Sequence, residues 1–220
     1  MRVPGAALLL LAGLGAVGLG AVPPASNADC IACRADAAAL RESYSEAEWT
    51  ELLADEVITS EAGGENTPEA QPRTVSASGR IAASPEQAWS VITDHAAYPR
   101  FMPTVEETRV RALPDGRVSV VQHLRVLFVD VRYATLWTLD PARGLATWQL
   151  DESEPHDIAA TTGSWQLAVV PGLEGVLVRY RAVVDTGRPV PGPIERWLTR
   201  SSLPRVVRSV REEVERRRGR

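Results

Sequence analysis

The sequence predicts an α+β fold in which one antiparallel sheet precedes a long C-terminal helix. Two observations lead to this prediction. Between residues 105 and 185, apolar and polar residues alternate with a period of two in six successive runs. After Gly187, apolar residues recur at helical spacing as far as about Arg217. Short turns rich in Pro, Asp and Gly separate the runs, so we expect an antiparallel meander and not a parallel α/β sheet.

The composition is that of a globular chain that can bury a core. The chain has 220 residues, of which 45% are hydrophobic and 24% are charged, and its net charge is −4. All 24 basic residues are Arg, and the mildly acidic balance provides no general field for nucleic acid. Two Cys and three His are too few for a disulfide-rich scaffold or a zinc finger. The composition therefore argues against a nucleic-acid-binding protein and against a small secreted toxin.

The first 28 residues are predicted to be a secretory signal peptide. Met1-Arg2 is a minimal positive start, residues 6–22 are apolar or Gly, and Ser26-Asn27-Ala28 offers small residues for cleavage after Ala28. An uncleaved membrane anchor is the alternative, because a run of 17 residues is at the lower limit for a membrane span. We therefore expect an exported protein that is periplasmic or secreted.

Residues 29–55 are predicted to form an N-terminal helical segment that carries the motif Cys30-Ile31-Ala32-Cys33. In an oxidising compartment, the expected state is a local disulfide between Cys30 and Cys33 with a structural role. A redox pair is the alternative, although no strand precedes the motif as it does in a thioredoxin-like unit. Haem attachment is disfavoured because Arg34 follows the second Cys where that motif has His.

The rest of the N-terminal region leads into the sheet. Ser45-Glu46-Ala47-Glu48 has the pattern of a capping box, and apolar residues follow it at helical spacing. A brief strand signal at residues 57–59 precedes an exposed loop or hairpin connection at residues 60–73. Strand character resumes over residues 74–82.

Two short helices are predicted between that strand and the meander. Ser84 caps the first helix, Pro85 suits its first turn, and Gln87 can reach back to the cap. Asp94 is expected to cap the second helix, which Tyr98-Pro99 stops.

The meander and the final helix complete the fold. The six strands are predicted at residues 105–113, 117–126, 129–139, 145–152, 161–170 and 175–185. The C-terminal helix presents one apolar stripe, and Pro204 is expected to kink or split the helix. The stripe consists of Ile194, Trp197, Leu198, Val206, Val207, Val210 and Val214.

The helix pair and its flanks resemble the START-like SRPBCC superfamily, which includes polyketide cyclases, coenzyme-Q-binding proteins and lipid-transfer domains. The resemblance is carried by Ile81-Ala82-Ala83-Ser84-Pro85-Glu86-Gln87-Ala88-Trp89, then Asp94, then Tyr98-Pro99-Arg100-Phe101-Met102-Pro103. Gly163-Ser164-Trp165 and Leu203-Pro204 resemble later elements of the same family. We assign the START-like domain to residues 56–217, followed by a basic tail at 218–220.

That resemblance implies a helix-grip fold, in which a curved antiparallel sheet wraps around the long C-terminal helix. It also implies an apolar cavity between the sheet and the helix, where members of the superfamily bind hydrophobic ligands. The helix-pair motif contains no catalytic group, and the superfamily is functionally broad, so the resemblance constrains the fold more than the function.

Strand alternation independently predicts which side chains face the cavity. The more apolar set of each strand is expected to face the helix. This inward set is Val110, Val118, Val120, Gln122, Leu124, Val126, Val129, Val131, Tyr133, Thr135, Trp137, Leu139, Trp148, Leu150, Trp165, Leu167, Val169, Val176, Val178, Tyr180 and Val184. The opposite set contains Arg109, Arg111, His123, Arg125, Arg132, Arg179 and Arg181, as expected for a solvated outer face. His123 is therefore predicted to be a surface residue.

The inward set indicates ligand binding and no catalysis. No His, Cys, Asp or Glu occupies an inward position in the middle of a strand, so no acid–base pair or activated nucleophile is apparent. We predict no catalytic residue, metal or cofactor. Apolar walls with a few neutral hydrogen-bonding groups are typical of a site for a hydrophobic small molecule or lipid. The predicted ligand-binding residues are Phe101, Gln122, Tyr133, Trp137, Trp148, Trp165, Tyr180 and Trp197.

Several alternatives remain open at this point. Trp137, Trp148, Trp165 and Trp197 would by themselves fill the space between sheet and helix. The chain would then be an interaction module of the envelope, whereas a cyclase or dehydratase would need a tyrosine or a bound water as proton carrier. The arginines at 216–218 are candidates for contact with a membrane surface, although neighbouring Glu residues favour a solvated helix end. The acidic residues at 151–157 are expected to form a solvated loop and no metal site.

Overall fold

A computed structural model of the chain describes residues 31–62, 74–126, 128–187 and 202–219. The predicted signal peptide, Cys30 of the predicted disulfide with Cys33, and Trp197 lie outside this described part of the chain.

Eight antiparallel strands form a single sheet. In spatial order they are β1-β2-β8-β7-β6-β5-β4-β3, so the first hairpin lies beside the last strand. The strands are β1 (Ile58–Ala62), β2 (Thr74–Ile81), β3 (Val105–Ala112), β4 (Val118–Val126), β5 (Val129–Asp140), β6 (Leu145–Leu150), β7 (Ala160–Ala168) and β8 (Val176–Asp185). The predicted meander is confirmed, because each strand from β3 to β8 pairs with the next.

Five α-helices and one 3₁₀ turn accompany the sheet in the described part of the chain. They are α1 (Ile31–Glu42), α2 (Glu46–Leu53), α3 (Pro85–Ile92), the 3₁₀ turn (His95–Ala97), α4 (Tyr98–Phe101) and α5 (Leu203–Arg218). Both predicted capping boxes form. Ser45 and Glu48 cap α2, and Ser84 and Gln87 cap α3, each through reciprocal side-chain and backbone bonds.

Helix α5 packs against the sheet to give the helix-grip architecture. Pro204 lies in the first turn of α5, where its missing N–H removes no helical hydrogen bond, so the predicted kink is absent from the described helix. Gly79 of β2 allows the closest approach, since a Cβ atom there would lie 2.8 Å from Cγ1 of Val207. We call the sheet surface that faces α5 the inner face and the opposite surface the outer face.

The prediction of a solvated outer face is wrong at one end of the sheet. Helices α1 and α2 cover the outer face of β7 and β8, where they bury Ala168 and Leu177. Arg179 lies under the same cover. Its guanidinium carbon is 4.9 Å from the Tyr44 ring centroid, and Nη2 donates a 2.8 Å hydrogen bond to Ser43 Oγ. The apolar outward residues Ala168 and Leu177 explain the difference, because they need a partner that excludes water.

Four residues of the predicted inward set are exposed, although the prediction concerned only the face on which they lie. Val110, Val129, Val169 and Val184 are each 43–47% exposed. Val110 lies on the edge strand β3, Val129 begins β5 at a hairpin tip, and the other two lie at or beyond strand ends. Strand alternation determines on which face of the sheet a side chain lies, but burial also requires another element to cover that face. Helix α5 contacts mainly β2, so the exposed valines have no such cover from it.

The prediction that Asp94 caps the second short helix is wrong. Asp94 instead forms an ion pair with α5. Its side chain makes no capping hydrogen bond to the 3₁₀ turn. The Asp94 carboxylate pairs with Arg217 at 2.8 Å, because α5 brings a guanidinium to this position. Arg216 and Arg217, which precede the predicted basic tail at 218–220, are therefore held in ion pairs.

Glu213 organises the same end of α5. It is only 4% exposed, and it accepts hydrogen bonds from Arg216 at 2.5 and 2.6 Å and from Arg217 at 2.8 Å. The hydrogen bonds from Arg216, opposed by burial and reinforced by Arg217, lower the pKa of Glu213 to about 2. Arg217 links this carboxylate to Asp94, so the charges join α5 to the turn after α3.

We expect Glu213→Gln to destabilise the fold at pH 7. A pKa near 2 against 4.5 in the unfolded chain sets an upper limit of about 3 kcal/mol. Solvent screening of the partly exposed arginines reduces the expected effect to about 1–2 kcal/mol. Because the folded-state pKa is lowered, this stability is present above pH 4.5 and is lost as the pH falls towards 2.

Urea unfolding of the wild type and Glu213→Gln at pH 7 and pH 3.5 measures this effect, with the exposed neighbour Glu212→Gln as the matched control. The difference between wild type and Glu213→Gln should shrink at the lower pH. Equal stability of the two Gln variants at pH 7 would show that the Glu213 ion pairs contribute nothing.

Candidate ligand-binding site

A continuous series of aromatic rings occupies the interior between the inner face and the helices. Neighbouring ring centroids in this aromatic series are 4.3–5.6 Å apart, which is the range of favourable ring contacts. The order along the series is Phe101, Tyr98, His95, Trp137, Trp148, Tyr180 and Trp165.

Sheet register brings the tryptophans together. Trp137 of β5 is directly opposite Trp148 of β6, and Trp165 of β7 is opposite Tyr180 of β8. Trp148 is also opposite Gly163, and a Cβ atom on this glycine would overlap the Trp148 indole. The absence of a side chain at Gly163 therefore provides the space in which the central indole lies flat against the sheet.

Thr135 holds a small polar network beside the aromatic series. Its hydroxyl accepts hydrogen bonds from Trp137 Nε1 at 2.9 Å and from Gln122 Nε2 at 3.3 Å, and it donates to the Val120 carbonyl at 3.3 Å. This network fixes the Trp137 indole. It also leaves the Gln122 side-chain oxygen without a partner among the residues that the structure describes.

Two tyrosines lie on the inner face with Gln122, and from their partial exposure we infer a recess in this interior. Tyr133 is directly opposite Gln122 in the β4–β5 pair. Burial raises the pKa of Tyr133 to about 12, and burial followed by repulsion from Tyr133 raises the pKa of Tyr180. Both side chains nevertheless keep accessible surface, and neither hydroxyl has a hydrogen-bond partner within the described ranges. Groups that are surrounded by protein yet still accessible line a concavity. We call Gln122, Tyr133 and Tyr180 the recess residues.

His95 is a buried polar group that does not belong to the predicted ligand-binding set. It is 2% exposed, and its ring centroid lies 4.3 Å from that of Trp137 and 5.1 Å from that of Tyr98. Nε2 is buried without a partner in the described part of the chain. Burial, opposed by the nearby Asp94 charge, lowers the pKa of His95 to about 4, so the ring is neutral at pH 7.

Strand alternation assigns only strand residues to the inner face, whereas His95 comes from the 3₁₀ turn. The spacing of three residues between His95 and Tyr98 was the available signal, because it places both rings on one side of a helical turn.

The structure brings most of the predicted ligand-binding residues together. Gln122, Trp137, Trp148 and Trp165 are buried, and Tyr133, Tyr180 and Phe101 are half-buried. Phe101 reaches the others through Tyr98 and His95. Trp197 lies outside the described residues. Ligand contact by any of these side chains stays a prediction.

His123 lies on the outer face, as its strand position indicates. It is near two carboxylates, with Nε2 3.1 Å from Asp130 and Nδ1 3.8 Å from Glu106. The ligand-type atoms of these three residues lie within 4.8 Å of one another, as a metal site would require. Arg125 Nε, however, is 3.2 Å from Glu106 and 3.1 Å from Asp130, so a guanidinium already neutralises both carboxylates.

The acidic loop at residues 151–157 has separate partners for its carboxylates. Asp151 accepts a hydrogen bond from Ser153, whereas Asp157 accepts one from the backbone N–H of Arg132. These carboxylates therefore do not converge on one point.

A groove of about 470 Å³ lies on the outer face and differs in character from the recess. Among the predicted ligand-binding residues, only Trp148 contributes to its lining. The other lining residues that carry side chains are mainly polar, namely Thr74, Arg117, Thr138, Thr147, Gln149, Thr162, Ser164 and Arg181, with Leu136, Ala182 and Val183. Its polarity does not suit a hydrophobic ligand.

Comparison with a family model identifies the class of protein. Residues 72–217 match the family described as polyketide cyclase / dehydrase and lipid transport, and the match covers more than half of the chain. The chain therefore belongs to this family, and the resemblance inferred from the helix-pair motif is confirmed. No curated protein sequence matches the chain significantly.

Solved structures show the same fold at low sequence identity. The Zhui aromatase/cyclase from Streptomyces sp. R1128 aligns with a TM-score of 0.56 at 20% identity, covering 67% of this chain and 96% of that one. A START superfamily protein from Mycobacterium smegmatis has a TM-score of 0.55 at 22% identity, covering 65% and 97%. A STAR-related lipid transfer protein from Xanthomonas axonopodis has a TM-score of 0.56 at 18% identity, covering 72% and 93%. The helix-grip prediction is thereby confirmed.

We expect Gly163→Ala to displace the Trp148 indole and to destabilise the protein by about 1–3 kcal/mol, as overpacking of a core typically does. Near-UV circular dichroism and urea unfolding measure the two effects. Ser164→Ala, at the next position and on the outer face, is the control and should change neither signal. An unchanged near-UV spectrum in Gly163→Ala would contradict the close contact between this glycine and the indole.

Proposed function

We propose that this protein is an exported carrier that binds a hydrophobic small molecule or lipid in the recess between the sheet and α5. The observation that carries the proposal is the pair of half-buried tyrosines, Tyr133 and Tyr180, whose hydroxyls have no hydrogen-bond partner among the described residues of an aromatic interior. A merely filled core pairs its buried polar groups or excludes them. Membership of a family associated with lipid transport supports the same conclusion.

Burial of apolar surface supplies the affinity in this proposal. At about 25 cal/mol per Å², a ligand that buries about 200 Å² of apolar area gains about 5 kcal/mol. The recess residues Gln122, Tyr133 and Tyr180 orient a polar end of the ligand by hydrogen bonding. The aromatic series provides flat surfaces against which a ring or chain can pack.

A cyclase or dehydratase is the second candidate, and the unpartnered Nε2 of buried His95 is the observation that favours it. A neutral imidazole accepts a proton from a substrate held beside it. The raised pKa values of Tyr133 and Tyr180 disfavour the tyrosines as proton carriers near neutral pH. A turnover that depends on pH near neutrality and is lost in His95→Phe would support the enzyme.

Export is supported by the signal-peptide pattern of residues 1–28. No helix in the described ranges is long and apolar enough to cross a membrane.

Contact with a membrane surface is part of the proposal, because a ligand of low solubility needs a donor or acceptor bilayer. Phe128, at the tip of the β4–β5 hairpin, is 82% exposed, and the adjacent Val129 is 43% exposed. The tip adjoins the loop after Phe101, since Arg125 N donates to Thr104 O at 2.7 Å. This apolar tip is too small for a stable protein interface but suits insertion into the bilayer interface.

Native mass spectrometry of the mature chain, purified from the periplasm, tests the carrier directly. Solvent extraction then identifies whatever the protein releases. We expect a stoichiometric hydrophobic adduct. A clean apo mass that persists after incubation with lipids, quinones and aromatic polyketides would mean that the aromatic side chains fill the interior, and an envelope interaction module would replace the carrier.

Ligand uptake in variants locates the site. Trp165→Ala should change uptake more than His123→Ala, because only Trp165 lies on the inner face. Tyr180→Phe removes one hydroxyl without a cavity, so it tests the site even if loss of the indole unfolds the protein. Equal uptake in all three variants would contradict the interior location.

The hairpin tip gives a separate prediction. Phe128→Ser should reduce co-sedimentation with anionic vesicles by about tenfold, since the loss of one partly inserted aromatic side chain removes about 1.4 kcal/mol of binding free energy. Val121→Ser, which removes an exposed apolar side chain from the outer face, is the control. Equal sedimentation of both variants and the wild type would exclude the tip as a membrane contact.

A further inference from the structure

The charged side chains of the sheet are separated from the recess by strand alternation. Gln122, Tyr133 and Tyr180 lie on the inner face of the sheet. In β2 to β8, every residue on this face is uncharged. Neighbours such as His123, Arg132 and Arg181 lie on the outer face because successive side chains point to opposite sides of a sheet. No strand residue in these elements therefore offers a cation to a ligand in the recess.

Several arginines of α5 have partners among the described residues. Arg211 donates through Nε to the carbonyl of Arg80 and through Nη1 to that of Asp55, both at 2.8 Å, whereas its Nη2 is buried beside Gly79 without a partner in the described part of the chain. Arg217 pairs with Asp94 and Glu213, and Arg216 also pairs with Glu213. The contacts of Arg211 place it at the β1–β2 end of the sheet, whereas the recess residues lie on β4, β5 and β8.

The recess residues are hydrogen-bonding groups without charge. The phenol groups of Tyr133 and Tyr180 each donate one hydrogen bond and accept others, and the free side-chain oxygen of Gln122 accepts. Such a set matches a hydroxyl, carbonyl or ester oxygen. A carboxylate would be taken out of water without a counter-ion, which is strongly unfavourable. The raised pKa of Tyr133 and the lowered pKa of His95 are consistent with an interior that penalises charge.

We infer that the recess selects an uncharged ligand with a hydrogen-bonding oxygen and discriminates against anionic amphiphiles such as fatty acids. This inference rests on the proposed carrier function and narrows its ligand class. It identifies Gln122, Tyr133 and Tyr180 as specificity-determining residues, because they present oxygen and amide groups where an anion-binding pocket would present Arg or Lys.

Three ligands with the same eighteen-carbon chain test the inference at a single pH of 7.5. They are oleyl alcohol, methyl oleate and oleate, each titrated as a competitor of the neutral fluorescent probe Nile red. We expect the alcohol and the ester to bind at least tenfold more tightly than oleate. Measurement below the critical micelle concentration of oleate keeps the three ligands comparable.

A charge placed in the recess should reverse this preference. Gln122→Lys brings an ammonium group to the inner face, and His123→Lys brings the same group to the outer face at the next position. We expect Gln122→Lys to strengthen oleate binding relative to the alcohol by at least tenfold, and His123→Lys to leave the ratio unchanged. Thermal unfolding of both variants checks that they are folded.

The hydroxyls are tested by removal of the oxygen atoms alone. Tyr133→Phe combined with Tyr180→Phe should weaken binding of oleyl alcohol several-fold and narrow its advantage over oleate. This variant preserves the rings, so it tests the inference even if Gln122→Lys fails to fold.

The outcomes separate the inference from the proposed function. Preference for the alcohol and the ester supports the inference. Equal binding of all three ligands, or tighter binding of oleate, overturns it and leaves the carrier intact. Failure of all three ligands and of the probe to bind would overturn the carrier and the inference together.

Discussion

The packing of α5 against β2 determines which face of the sheet becomes the interior. Gly79 permits this packing, because any larger residue would meet the buried side chain of Val207. Once the helix is on that side, strand alternation assigns every other side chain of β2 to β8 to the inner or the outer face. The aromatic series, the recess and the outer groove all follow from this one contact. The ion pairs of Glu213 and Asp94 then fasten the far end of the helix.

The interior reflects a balance between filling space and keeping part of it accessible. Direct contacts between Trp137, Trp148 and Trp165 or their aromatic neighbours close much of the volume under the sheet. The half-buried tyrosines Tyr133 and Tyr180, whose hydroxyls have no partner within the described ranges, lie at the boundary of this packed region. A polar group in such a position is costly in an empty protein and useful in an occupied one, because a ligand can supply the missing hydrogen bond. The balance favours a binding protein over a purely structural module.

The distribution of charged residues over the sheet also follows from strand alternation. The arginines of β4, β5 and β8, namely Arg125, Arg132, Arg179 and Arg181, all lie at outer-face positions, so strand alternation keeps these charges out of the interior. At the covered end of the sheet, Arg179 stays on the outer face and is stabilised there by Tyr44 and Ser43. His95 differs from these arginines because its titratable ring lies among the aromatic side chains of the interior. It remains neutral at pH 7 because burial lowers its pKa.

The sequence by itself determined the strand order along the chain, the two capping boxes, the family and the inner-face position of Gln122, Tyr133 and the three strand tryptophans. These features depend on local patterns of period two or 3.6 and on motifs within a few residues. Only the tertiary structure decided that Asp94 pairs with Arg217, that α1 and α2 cover Leu177, and that His95 enters the aromatic series. Each of these contacts joins elements far apart in the chain, and their partners are selected by packing and charge in three dimensions, which no local pattern records.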